Sequence, residues 1–401
     1  MSQSQEDTAQ GSIVVIVLLI AVSTMNPISV NIIVPALTSM AKGLNTDFAT
    51  AQLALTAYLF ATAFSQLILG PLSDRYGRRP VLLAGIVIYF LASVLCLMAN
   101  SIWVVVFGRI LQGFGAASGF ALGRAIVRDL YEREKAASML GYITMGFSTA
   151  PMVAPLIGGL ISDSFGWRPI FLFTAVISLV LLFFVWLSLP ETRKPLQEGE
   201  TRTGFVESFK ILARVPAFWA YALNLSLSVA IFFTFLGGTP FIAIDLFGMT
   251  GTEYGLYFAF VPVGFFIGNW FTAGLAQRLG IWRMIIAGNL LGVVAGIASL
   301  ILLGAGWHNH FALFAPMYLV GLSNGLAMAN GMAGAVSVRP KLAGAASGIA
   351  GSMQMGLGAI ATVVVGYLLT LTQSPMPVPI CMTVLAVLCL GTGFWARTAR
   401  S

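Results

Sequence analysis

Apolar stretches of membrane-crossing length follow one another along almost the whole chain, and no segment between them is long enough to fold into a soluble domain. About 20 consecutive apolar residues span the hydrocarbon core as a helix. Inside lipid every backbone N–H and C=O must be satisfied within the protein, which leaves helices or a closed barrel as the spanning forms. Runs of this length exceed barrel strands. The apolar pattern predicts helices near 13–37, 50–71, 80–99, 101–123, 137–160, 168–189, 216–240, 253–275, 282–304, 311–334, 342–370 and 376–396. The expected fold class is therefore an all-α integral membrane protein with twelve spanning helices. Composition agrees: 58% of residues are hydrophobic and 9% are charged, against about 25% charged in soluble domains.

The few charges orient the chain. Of the 21 Lys and Arg residues, 18 fall in alternate connections and at the C-terminus. Arg75, Arg78 and Arg79 lie between spans 2 and 3, and Arg124, Arg128, Arg133 and Lys135 between spans 4 and 5. Only Lys42 and Arg168 lie on the opposite side, and Arg109 lies within a span. By the positive-inside bias both termini are expected in the cytoplasm, with the first apolar run retained as a span. The net charge of +7 then serves topology and contact with anionic lipid, not nucleic acid. The bilayer is the expected partner, with no obligatory protein partner. Cys96, Cys381 and Cys389 fall in apolar runs and read as small hydrophobes. His308 and His310 lack other ligands nearby and fit a surface or pH-sensitive loop, so no metal is expected.

The longest hydrophilic stretch, Pro190–Val215, separates six spans from six. It divides the chain into an N-terminal bundle (1–189), a cytoplasmic linker (190–215) and a C-terminal bundle (216–401). Two bundles rocking about a central site would give alternating access; a passive tether fits the same residues. Between spans 2 and 3 runs Gly70-Pro-Leu-Ser-Asp74-Arg75-Tyr-Gly77-Arg78-Arg79-Pro80, dense in turn formers and charge. Its glycines and prolines permit a tight reversal, read either as a hinge that can break and remake contacts or as an inside-positive turn used only for insertion. An echo, Gly274-Leu-Ala-Gln-Arg278-Leu-Gly280, lies at an offset of 203 residues and suggests a repeated six-helix unit.

At these residues the chain resembles the major facilitator superfamily, specifically its bacterial drug:proton antiporters of the bicyclomycin/chloramphenicol-resistance type. Gly70, Asp74, Arg75, Gly77, Arg78 and Arg79 meet the family's loop pattern, and Arg109, Gln112 and Gly113 meet its Arg-x-x-Gln-Gly element in span 4. The segment from Gly146 to Gly159, with Pro151, Pro155 and Gly158, is similar to the family's Gly/Pro segment of span 5. The resemblance covers nearly the whole chain. It implies two pseudo-symmetric six-helix bundles in the bacterial inner membrane, exporting small drug-like molecules against an inward flow of H+. It implies no cofactor, and no enzymatic loop motif or metal constellation is present in the sequence.

The interior carries little polar chemistry. Arg109 points to an aqueous cavity or an internal hydrogen-bond network, either as a coupling or gating group or as a brace between helices. Gln112 fits a partner to it, and Gly113 a close helix approach. Arg124, Arg128 and Asp129 form either a charge-switched gate or a solvated edge. In span 5 the small residues and prolines fit close packing with a bend, or control of leak and alternating access. Tyr58, Tyr142, Asn224, Phe232, Phe233, Phe235, Asn330 and Gln354 are candidate cargo contacts or packing residues. Asp47, Asp163, Asp245 and Glu253 sit near outer helix ends, as caps or solvated groups.

None of the 14 Asp and Glu residues falls convincingly near mid-span. The drug-exporting relatives commonly have a carboxylate in helix 1 just before a Pro-Ala-Leu-like segment, and here Asn31 stands there. An amide has no carboxyl proton to exchange. Asn26 and Asn31 fit cargo recognition or helix bracing, while coupling passes through Asp129 or another boundary carboxylate, or does not use a proton. Facilitated exchange or uptake of a metabolite is the alternative transport reading, and a membrane sensor or scaffold the non-transport one.

Overall fold

The computed structural model describes residues 13–131, 133–193 and 205–399. Twelve helices among them are long and apolar enough to cross a membrane: α1 Val14–Gly43, α2 Phe48–Tyr76, α3 Arg78–Leu97, α4 Ile102–Leu130, α5 Met139–Phe165, α6 Arg168–Ser188, α7 Pro216–Leu246, α8 Gly251–Leu279, α9 Ile281–Gly304, α10 His310–Ser337, α11 Ala343–Thr372 and α12 Pro377–Thr398. The fold is all-α, with α1–α6 forming one bundle and α7–α12 a second, pseudo-symmetric with the first.

Residues without charge line these helices because lipid and protein interior are similarly apolar, so contact depends on close packing instead of on exclusion of water. Small residues supply it. A Cβ at Gly113 would stand 2.6 Å from the Tyr58 carbonyl oxygen, so α4 and α2 meet backbone to backbone. Gly158 sits in the same way against the Ile32 carbonyl of α1.

The repeat is visible in the backbone. Gly77 alone joins α2 to α3 at φ +103° and ψ 155°, and Gly280 alone joins α8 to α9 at φ +84° and ψ 153°. Glycine without a Cβ adopts this conformation readily, and other residues do so only under strain. Two glycines 203 residues apart thus make the same sharp reversal.

Helices α1 and α7 depart from a simple rod. Helix α1 passes through a 3₁₀ turn at Val34–Ala36, where Pro35 lacks an N–H, and continues to Gly43, beyond its expected end. Helix α7 relaxes into a π turn at Phe241–Leu246 after Pro240. Helix α5, in contrast, runs unbroken from Arg133 to Phe165 through both Pro151 and Pro155. In the stretch expected to be a linker, Phe205–Ala213 forms a short helix, and residues 194–204 lie outside the described residues.

The turns bearing Arg75–Arg79, Arg193, Arg278 and Arg339 share one end of the molecule, called the basic end below; the other is the outer end. At the outer end the bundles are joined. Lys42 pairs with Asp245 at 3.0 Å and Asp163 bonds Gly251 and Thr252 there, while Thr56, eight residues into α2, bonds Thr362 at 2.8 Å nearer mid-span. Helix α5 packs along Gly251–Phe258 but barely touches the remainder of α8, so this seam widens toward the basic end.

Candidate functional site

Arg109 lies seven residues into α4, about 10 Å from the outer end at 1.5 Å per residue. It is 1% exposed and faces the interior of the first bundle. Its Nε donates to the Ala54 carbonyl at 3.2 Å, one terminal nitrogen to Ser29 Oγ at 3.1 Å and Gln112 Oε1 at 2.8 Å, and the other to the Ser29 carbonyl at 3.0 Å. The guanidinium also stacks over the Tyr58 ring. A buried charge is tolerated only when its donors are met. Here neutral acceptors from three helices meet them, with no carboxylate in the described network.

A second tier of hydroxyls holds these acceptors. Tyr89 donates to Ser29 Oγ at 3.0 Å, Gln112 Nε2 donates to Ser93 Oγ at 2.7 Å, and Thr174 lies 3.3 Å from Ser93 Oγ. Helices α1, α2, α3, α4 and α6 thus converge on one guanidinium. Beside this network, between α1, α3 and α6, lies a cavity of about 200 Å³ lined by Thr24, Met25, Ile28, Tyr89, Thr174 and Leu181 among others. Arg109 and Gln112 are the expected residues; Ser29, Tyr89, Ser93 and Thr174 were not singled out, because isolated hydroxyls in apolar helices carry no spacing signal.

At the basic end Arg78 is the hub. It pairs with Asp74 at 2.7 Å and with Asp129 at 3.0 Å, and it bonds the Ser73 hydroxyl, fastening α2, α3 and α4. Glu191, just past α6, accepts the backbone N–H of Arg78 at 2.9 Å and of Arg79 at 3.2 Å, capping α3. An anion is favourable at this point because the first N–H groups of a helix lack internal partners. Arg79 donates to the Trp186 carbonyl at 2.7 Å, and the Arg75 carbonyl accepts from Arg193 at 2.9 Å. All these bonds lie within the first bundle and the residues just past α6. Glu191 carries no signal of this role in the sequence beyond its place in a Pro-Glu-Thr-Arg run at a helix end.

The other gate candidates separate. Arg128 is exposed, and Arg124 lays its guanidinium 3.6 Å from the centre of the Phe120 ring. Gly70 has open space around it. Gly146 touches Ile20 of α1, and Gly159 meets the Gly251 backbone of α8 across the seam between bundles.

The cargo candidates do not form one cluster. Tyr58 is wholly buried beneath Arg109 and donates to the Asn26 carbonyl at 3.3 Å. Asn31 donates to the Pro27 carbonyl at 2.8 Å, within its own helix. Asn26 Nδ2 and Asn31 Oδ1 are buried without a hydrogen-bond partner. Phe232 and Phe235 pack against Phe258, Phe233 packs on Phe232 and Gly358, and Asn224 bonds the Cys389 carbonyl at 2.7 Å. Asn330 and Gln354 each bond a carbonyl one turn back on their own helices, and Tyr142 is half exposed on α5. Gln52, unforeseen, donates across the bundles to the Thr362 carbonyl at 2.8 Å.

Carboxylates of the described residues sit at helix ends, not mid-span: Asp47 caps α2, Asp74 and Asp129 meet Arg78, and Asp163 and Glu253 meet the start of α8. Among the described residues no group of three or more His, Cys, Asp or Glu side chains is placed to hold a metal ion.

The Major Facilitator Superfamily model matches residues 19–363. The chain is 32% identical over 354 residues to the Multidrug resistance protein D of Escherichia coli K12, covering 87% of each chain. It is 32% identical over 386 residues to a Chloramphenicol resistance protein of Pseudomonas aeruginosa, covering 92% of this chain and 87% of the relative. A bacterial homolog to human lysosomal transporter Spinster, solved in an inward-facing and occupied conformation, superimposes with TM-score 0.73 at 15% identity over 96% of each chain.

Proposed function

The chain belongs to the major facilitator superfamily, whose members are transporters and not enzymes, and from that premise we propose that it exports small amphipathic or lipophilic antimicrobial compounds across the bacterial inner membrane, driven by proton antiport. The observation that carries the alternating-access part is the asymmetry of the seam between bundles. Among the described residues the inter-bundle bonds lie between the outer end and mid-span, and α5 and α8 part toward the basic end, while α2 stays against α11 as far as Gln66 and Gly351. With the basic end and both termini in the cytoplasm, as the charge bias implies, this is a form that admits cargo from inside. Residues 1–189 and 216–401 are the moving bodies and 190–215 is the tether. The relatives named for multidrug and chloramphenicol resistance support export and drug-like cargo.

In the mechanism, cargo enters from the cytoplasm or inner leaflet and settles between the bundles. Buried Asn26 and Asn31 offer an unpartnered donor and acceptor, which orient a polar group while aromatic side chains hold the apolar body. Arg109 bonds acceptors on three helices of the first bundle and reaches α3 and α6 through their hydroxyl partners, so it relays a change at α1 or α2 to the rest of that body. The Arg78 cluster, Asp74 and Asp129 included, then repacks as the cytoplasmic end closes, with Gly77 as the turn about which α2 and α3 adjust. Gly146, Pro151, Pro155, Gly158 and Gly159 keep α5 close to α1 and α8 and so limit leak.

One observation favours a second reading, facilitated exchange or uptake of a metabolite. Asn31 stands where a carboxylate would carry the proton, and its amide is bonded within its own helix. Counterflow in proteoliposomes separates the two. Efflux of a drug such as chloramphenicol that accelerates with an inwardly directed pH gradient is the expected result; efflux indifferent to the gradient overturns the antiport reading.

A further inference from the structure

Helix α8 begins with its own capping box: the Thr250 hydroxyl accepts the Glu253 N–H, and the Glu253 carboxylate accepts the Thr250 N–H. That arrangement leaves the two N–H groups between them, those of Gly251 and Thr252, without a partner from their own helix. Both go to the other bundle. Asp163, near the end of α5, accepts from Gly251 N at 3.0 Å, from Thr252 N at 2.8 Å and from Thr252 Oγ1 at 2.6 Å. A carboxylate of the first bundle therefore completes the cap of a helix in the second.

The fit depends on neighbours that admit nothing larger. Gly159, one turn before Asp163, touches the Gly251 backbone, and a Cβ on Gly251 would reach within 2.8 Å of Asp163 Oδ1. A Cβ on Gly255 would likewise stand 2.5 Å from the Leu156 Cα. Ser162, adjacent to Asp163, is held by Ser39 of α1 at 2.9 Å, so the carboxylate is presented from a fixed part of its own bundle. The nearby Lys42–Asp245 pair has a lysine side chain 74% exposed, and water screens such a pair heavily. Asp163 makes the charge-assisted, geometrically defined link.

We propose that Asp163 is a latch between the bundles at the outer end, holding them together there by capping α8 and releasing it when the bundles rock apart. This rests on the alternating-access reading but not on the cargo, the direction of transport or its driving ion. At the basic end the corresponding carboxylates, Asp129 of the first bundle and Glu191 just past it, both bond Arg78 of the first bundle and not the second bundle, as expected where the bundles are apart.

The test reads the separation of the outer ends directly, without cargo or gradient. Spin labels replace two exposed side chains, Met98 at the end of α3 and Leu371 at the end of α11, in a chain carrying Cys381→Ser, Cys96 and Cys389 being buried. Asp163→Ala is expected to raise the ratio of wide to narrow separations about tenfold. Asp163→Asn and Thr252→Val should shift it less in the same direction. Asp47→Ala, which removes a cap made within one bundle, should leave it unchanged. Equal distributions for wild type and all three latch variants overturn the proposal, as does an equal shift in Asp47→Ala. A shift confined to the latch variants, together with drug efflux indifferent to a pH gradient, would keep the latch and remove the antiport.

Discussion

The guanidinium carbon of Arg109 stands 4.1 Å from the centre of the Tyr58 ring, so the charge is covered by an aromatic face on one side while its edge donates to Ser29, Ala54 and Gln112. Desolvated cation–π contacts contribute about 2 kcal/mol, and the four hydrogen bonds around them each lose a charged donor if the side chain is shortened. Arg109→Gln is expected to destabilise the protein by about 2 kcal/mol and to abolish transport in vesicles of equal protein content. Arg109→Lys keeps the charge but not the planar fork that meets acceptors from three helices. It should restore stability more than flux. Normal flux with an unchanged pH response in Arg109→Gln would reduce this residue to packing.

Gly77 offers a test of the turn. Its backbone, at φ +103° and ψ 155°, lies where a residue with a Cβ is strained by about 1–3 kcal/mol. An added methyl would also press on the Glu191 carboxylate that caps α3, 2.5 Å away. Gly77→Ala should lower the midpoint of thermal unfolding and slow transport. Gly70→Ala, with nothing within 4 Å of the added methyl and a helical backbone, should do neither.

Much of this molecule is legible in the sequence because lipid restricts the alternatives. Apolar length and the pattern of Lys and Arg predict twelve spanning helices, and twelve helices long and apolar enough to span are present among the described residues. Their ends are less legible: α2, α4 and α10 run to 28–29 residues, since helices extend past the hydrocarbon and polar residues there keep helical geometry. Arg109 is conspicuous as a charge in an apolar run; its hydroxyl partners on α1, α3 and α6 are not, since one serine among many does not announce its contact. Asp47 and Asp163 make the limit plain. Both are carboxylates near outer helix ends, yet Asp47 bonds Thr50 three residues on, while Asp163 bonds Thr252 across the two bundles. Only the packing of the bundles distinguishes them.

Asp47 gives the pH dependence a sign. The Thr50 backbone N–H above all holds its carboxyl below the ordinary aspartate range, against a smaller opposing effect of burial. A lowered value means that the ionised form stabilises the fold at pH above the unfolded value of about 3.9 and that this contribution is lost as pH falls through the lower folded value. The carboxyl is solvent-facing, so screening keeps the cap near about 0.5–1 kcal/mol. The gap in thermal midpoint between wild type and Asp47→Ala should therefore be constant from about pH 5 to 8 and close below about pH 4. A gap that persists at lower pH would assign it to packing.

Asn31 decides how the missing mid-span acid is understood. Its Nδ2 donates to the Pro27 carbonyl at 2.8 Å while its Oδ1 is buried without a partner. Asn31→Asp places a carboxyl in almost the same volume. Protonated, the carboxyl can still donate to Pro27; ionised, it turns two acceptors toward that carbonyl and a buried interior, which is unfavourable without a donor or water. The two protonation states thus differ in how they fit α1, which is what a proton needs in order to bias a conformation. If transport in the native chain is indifferent to a pH gradient, Asn31→Asp should make flux gradient-dependent, by about tenfold for a difference of 1.4 kcal/mol between states. If the native chain already responds to the gradient, the coupling group lies elsewhere, and the variant should instead shift the pH at which flux is half-maximal. Unchanged flux at every gradient, with the variant inserted and stable, would show that position 31 takes no part in coupling and would assign Asn31 to bracing α1.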